Sequence, residues 1–205
     1  IYLDYMGRVT RGDALMTYVN ELIETSQLEF AGSVMKRTLQ WEPKNWEFHE
    51  LLGLIRWRQG LYEDAVRELK IAVDENFSRS VVRGIFAECL VEIGKYSDAE
   101  KVFNDVLSRN AEEVDVLARR GAFLLKVGRG AEAKSDFERL AGLQPDAPQH
   151  VIDLLVAMLC EKQYDLAAKT MQVRKLERRD PRDIASILIT RIACIIADQS
   201  YARER

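Results

Sequence analysis

The apolar and small positions of the 205-residue chain recur with a fixed period. GLYEDAVREL at Gly60–Leu69 returns 34 residues later as GKYSDAEKVF and 34 later again as GRGAEAKSDF. Stepping by 34 from Ala65 in both directions gives Ala31, Ala65, Ala99, Ala133 and Ala167. Three more columns hold the same register: Val19, Gly53, Ala87, Gly121, Leu155; Leu28, Tyr62, Tyr96, Gly130, Tyr164; and Met35, Leu69, Phe103, Phe137, Met171. No insertion breaks the period, so the chain is built from repeated units rather than one irregular core.

The columns predict two antiparallel helices per unit. Small residues at two positions suit helices whose axes cross within about 8–10 Å, and large apolar residues fill the flanks. Gly60, Gly94 and Gly128 fall between the helices, where a left-handed residue ends a helix cheaply. Pro43 and Pro145 fall in the links to the next unit, and Asp180–Pro181 reads as an N-cap and first turn of another helix. Strand-type alternation is scarce, and Ala, Leu, Glu, Arg and Lys dominate, as long helices require.

A helix–turn–helix of 34 residues, small at positions 8 and 20, aromatic at 17 after the turn glycine and Pro at 32, resembles the tetratricopeptide repeat. The resemblance covers residues 12–181, as repeats 12–45, 46–79, 80–113, 114–147 and 148–181. The first and last are degenerate, with Val19 and Leu155 at the eighth position and Ser26 and Lys162 at the turn. It implies an all-α, right-handed α-α superhelix of about five repeats plus a C-terminal helix. Residues 1–11 read as an N-terminal extension or the end of a preceding helix, and the missing initiator Met suggests a truncated N-terminus. Residues 182–205 read as a cap or the first helix of a sixth repeat. IASILITRIACIIA, at Ile184–Ala197, is apolar nearly all round yet shorter than the about 20 residues a membrane helix needs. It is covered by further chain, by a partner or by a second copy meeting at Ile184, Ile187, Leu188 and Ile195, or it is a greasy cap.

The resemblance further implies that the first helix of each repeat lines a concave binding surface through positions 2, 5, 9, 12 and 13. Those columns give Met16, Asn20 and Ile23; Glu47, Glu50, Leu54, Trp57 and Arg58; Gly84, Glu88, Val91 and Glu92; and Ala118, Ala122 and Leu125. Asp13, Glu24, Val81, Asp115, Lys126, Gln149, Ile152, Val156, Leu159 and Cys160 complete them. The surface is mainly apolar, with an acidic bias in its N-terminal half. It lacks the cations of a carboxylate-clamping groove and the Asn ladder of the glycosyltransferase-linked subtype. An apolar, partly basic peptide or helix is the expected ligand. Trp57 is the leading anchor, with packing against an adjacent helix as its alternative role.

Composition changes this picture little. Net charge is −3, which gives no global pull toward nucleic acid or anionic lipid. Cys89, Cys160 and Cys194 lie in apolar helical text without a CxxC pair, so they read as buried hydrophobes in a reducing compartment, the cytoplasm by preference. The basic run Lys169–Arg182 is interleaved with acids and reads as a solvated face. No phosphate loop, nucleophile elbow or metal motif occurs, so neither a catalytic residue nor a metal or other cofactor is expected. His49 falls on a core column, and Asp and Glu read as helix-surface residues. The role expected is a non-enzymatic scaffold or adaptor; a chaperone for secreted or membrane-assembly subunits and a regulatory domain of a larger protein are the alternatives.

Overall fold

The computed structural model describes residues 11–75, 79–145, 147–173, 188, 191–193 and 195–196. The expectations for residues 1–10, for Asp180–Pro181, and for Ile184 and Ile187 lie outside them. No strand occurs among the described residues. The helices are α1 (Arg11–Glu24), α2 (Leu28–Leu39), α3 (Trp46–Arg58), α4 (Tyr62–Glu75), α5 (Ser80–Glu92), α6 (Tyr96–Arg109), α7 (Val114–Lys126), α8 (Gly130–Leu143), α9 (Pro148–Cys160) and α10 (Tyr164–Val173). The chain divides after Ala99, inside α6, into two compact units.

The same turn closes every hairpin. Gly60, Gly94 and Gly128 have φ of 74°, 78° and 81°, and Ser26 and Lys162 hold the same left-handed conformation at 60° and 59°. Around Gly60, the Gly60 amide donates to Trp57 O at 3.0 Å and the Leu61 amide to Arg56 O at 2.9 Å. This Schellman pair satisfies carbonyls that the helix end leaves open, and it recurs at Ser26, Gly94, Gly128 and Lys162. The degenerate repeats therefore keep the turn while accepting the steric cost of a Cβ at positive φ.

In the first unit, Leu15, Val19, Leu22, Ala31, Met35, Phe48, Leu51, Leu52 and Ile55 form one core cluster. The small-residue column has a direct steric reason here. A methyl carbon built on Gly53 of α3 would lie 2.6 Å from Leu69 Cγ of α4. In the second unit, a methyl on Gly121 of α7 would lie 2.6 Å from Phe137 Cζ of α8. Position 8 is thus the hole into which position 24 inserts. In the first repeat the hole is filled by Val19, and the knob is Met35, an unbranched side chain able to fit around it; both are fully buried.

Acids also enter the interior, which corrects the expectation that they occupy helix surfaces: Glu50, Asp136 and Asp153 are buried. Asp136 of α8 receives Arg120 of α7 through Nε at 2.7 Å and Nη2 at 2.5 Å, while Arg120 Nη1 donates to Asn104 of α6 at 3.0 Å. His49 is buried between Glu68 Oε2, at 2.7 Å from Nδ1, and Pro43 O, at 3.0 Å from Nε2. It ties α3 to α4 and to the link before α3.

Candidate protein-binding surface

The first helices α1, α3, α5, α7 and α9 carry the residues expected to meet a ligand. Columns 2 and 13 sit at the ends of these helices, and their exposed members are Glu47, Val81, Asp115 and Gln149 at one end and Glu24, Arg58 and Glu92 at the other. Lys126 and Cys160 are half-buried. The middle columns are less uniform.

In the first unit, Met16, Ile23, Leu54 and Trp57 are half-buried apolar side chains and Asn20 is exposed. Trp57 is not a free anchor: its indole N–H donates to Glu88 Oε1 of α5 at 3.2 Å, so the ring bridges α3 and α5 and is held in one orientation. Val91 is buried, as are Gly84 and Glu50. In the second unit, Ala118 is half-buried and Ala122 exposed, whereas Leu125 is buried.

The last repeat departs furthest from the expectation. Val151 to Met158 are buried without interruption, including Ile152 and Val156 of the proposed surface. Arg191 pairs with Asp153 of α9, and Leu188 is itself buried. Arg191 of the chain's own C-terminal part therefore reaches α9 at Asp153, the residue after Ile152 of the expected surface. Of the residues expected at a self-association face, Leu188 is buried and Ile195 is half-buried.

Charge at the first-unit surface is more specific than an acidic bias. Glu50 occupies column 5, whose other members are Met16, Gly84, Ala118 and Ile152. Its side chain is 8% exposed, and its carboxylate accepts a 2.5 Å hydrogen bond from Arg79 Nη1. Arg79 precedes α5 at the N-cap position without capping it through a side chain. Sequence columns of the first helices did not include Arg79; a cation at an N-cap position, where the helix dipole disfavours it, was the available signal. Burial raises the Glu50 pKa, opposed by Arg79 and reinforced by nearby Glu47. Because the fold binds this proton more readily than the unfolded chain, Glu50 costs stability as pH rises above the unfolded carboxyl range near ~4.3. Glu50→Gln leaves only an exposed guanidinium behind, so it is expected to stabilise the protein by about 1 kcal/mol at pH 7. The gain should vanish by about pH 4, read by urea denaturation of both proteins across that range.

Thiolate chemistry is suppressed at the two described cysteines, Cys89 and Cys160. Burial, with help from Glu92, pushes the Cys89 thiol up to about 12, and burial also raises Cys160, so neither is a ready thiolate. No group of three His, Cys, Asp or Glu able to hold a metal occurs among the described residues, and none of their helices is long and apolar enough to cross a membrane.

Stacked helix hairpins whose first helices present partly open side chains define a helical-repeat interaction module. The family model described as tetratricopeptide repeat matches residues 33–78 and 87–148, more than half the chain, and this chain belongs to that family. No curated protein matches it. Among solved structures, it is similar to MamA 41-end from Desulfovibrio magneticus RS-1, with 16% identity and a TM-score of 0.71 over 83% of this chain and 98% of that one. It is similar to YrrB, titled a TPR protein with an unusual peptide-binding site, with 13% identity and a TM-score of 0.69 over 92% and 97%. Pseudomonas aeruginosa pilF gives 18% identity and a TM-score of 0.70 over 94% and 87%. Identities at this level carry the fold and nothing finer.

Proposed function

We propose that the protein is a non-enzymatic adaptor that holds an apolar, partly basic peptide or helix on the first helices of its N-terminal repeats. The observation that supports this is the set Met16, Ile23, Leu54 and Trp57, which stays half-open to solvent on α1 and α3, together with exposed Glu47 on α3 and Glu92 on α5. Half-buried apolar side chains in a packed scaffold leave surface that a ligand can desolvate at little conformational cost. The acids supply steering and selectivity for Lys or Arg. Gly84 and Val91, both buried, act as support.

A fluorescent library of amphipathic peptides, varied in apolar spacing and in Lys/Arg content, tests the reading. Basic amphipathic members should bind, more weakly as salt rises. Leu54→Ala with Trp57→Ala should cut that affinity at least tenfold, since a central anchor is worth about 2 kcal/mol or more. Thermal unfolding should stay cooperative. Equal affinity for acidic and basic members, or unchanged affinity in the double variant, overturns it.

A further inference from the structure

We propose that Glu50 is a receptor for a partner's arginine or lysine side chain, and that Arg79 is an intramolecular stand-in which vacates it when the partner binds. This rests on the reading of the N-terminal repeats as a ligand surface and names the polar contact within it.

Three observations carry the assignment. Glu50 stands in a column that is otherwise apolar or glycine, so neither solubility nor helix pairing explains an acid there. It is buried, yet the cation that satisfies it comes from the link before α5 and not from the core: the Arg79 side chain is 55% exposed against 8% for Glu50. The two partners thus differ in what separation would cost them. Arg79 rehydrates readily once released, whereas a buried carboxylate left alone bears the full desolvation penalty. An exchange of one guanidinium for another keeps Glu50 paired throughout and exposes only Arg79. The asymmetry is widest here: Arg191 on Asp153 shows a smaller one, at 40% against 11%. In Arg120–Asp136 the cation is itself mostly covered, with 22% of its side chain exposed, and is anchored again on Asn104. The neighbouring first helix adds Gly84 at the same column, so no side chain from that position competes for the carboxylate. Glu47, exposed one turn before Glu50, adds a second negative charge that favours an incoming cation.

The test uses N-acetyl-arginine amide as ligand and its neutral isostere N-acetyl-citrulline amide as control. Binding is followed in the full chain by the Arg79 Nε–H resonance and by the Glu50 carboxyl carbon resonance. In the unmodified protein, millimolar arginine amide should shift the Arg79 signal toward that of a free guanidinium, and citrulline amide should not. Arg79→Met, which keeps the apolar stem but removes the competing charge, should bind arginine amide at least tenfold more tightly than the unmodified protein. Adding Glu50→Gln to Arg79→Met should abolish the gain. The Arg79 readout needs no substitution, so misfolding of a variant cannot mask the answer. Equal affinity with and without Arg79, or a gain that survives Glu50→Gln, overturns the proposal. Such a result leaves the peptide response of the Leu54–Trp57 variant untouched, so failure here is separable from failure of the surface itself.

Discussion

Gly53→Val is expected to destabilise the protein by about 3 kcal/mol or more, because overpacking combines with loss of a preferred rotamer at a closed crossing. A Cβ there would meet Leu69 Cγ at 2.6 Å, Cδ2 at 2.7 Å and the Leu69 backbone nitrogen at 3.1 Å. The backbone contact matters most, since a side chain can rotate away but the axis of α4 cannot without opening the hairpin. Gly53→Ala is milder, as the better helix propensity of Ala returns about 1 kcal/mol. The first repeat shows how a larger residue is accommodated, with Val19 opposite Met35. Gly53→Val combined with Leu69→Met should therefore recover part of the loss. Urea denaturation of the three variants checks the order; a double variant no better than Gly53→Val would refute the knob-and-hole account.

Asp136→Ala is expected to cost about 3–5 kcal/mol, the range for breaking one side of a buried ion pair. The Asp136 side chain is 2% exposed, and its two oxygens receive the Arg120 fork from the facing helix. Alanine leaves that guanidinium with Asn104 but without its counter-charge, in a site that water reaches poorly. Replacing both partners by apolar residues, Arg120→Met with Asp136→Leu, should restore most of the stability, since no charge then stays buried. The coupling energy from the four-protein cycle measures the pair. Additive losses would mean that Asp136 acts through packing alone.

How far the candidate surface was legible follows from the same geometry. A 34-residue period fixes which side of its helix a residue occupies, so columns 2 and 13 could be read from the sequence with fair success. It does not fix depth. Trp57 and Val91 share column 12, yet Trp57 is half-buried and Val91 is buried. Leu54 and Val156 share column 9, yet Leu54 is half-buried and Val156 is buried. Depth depends on what the next element places over the residue, and that element is specified elsewhere in the chain. The Glu50–Arg79 pair was missed for a related reason: it joins a first helix to a link 29 residues away, outside any column comparison.

The sequence by itself determined the repeat, the hairpin turns and the family, because each depends on local backbone conformation or on a spacing written several times over. Left-handed turns need glycine or a tolerated substitute, and a close helix crossing needs a small residue, so both leave a signature at fixed intervals. Only the tertiary structure decided which acids are buried and which cation meets each. Those outcomes arise from pairings between single residues that occur once, and a pairing that occurs once has no period to reveal it.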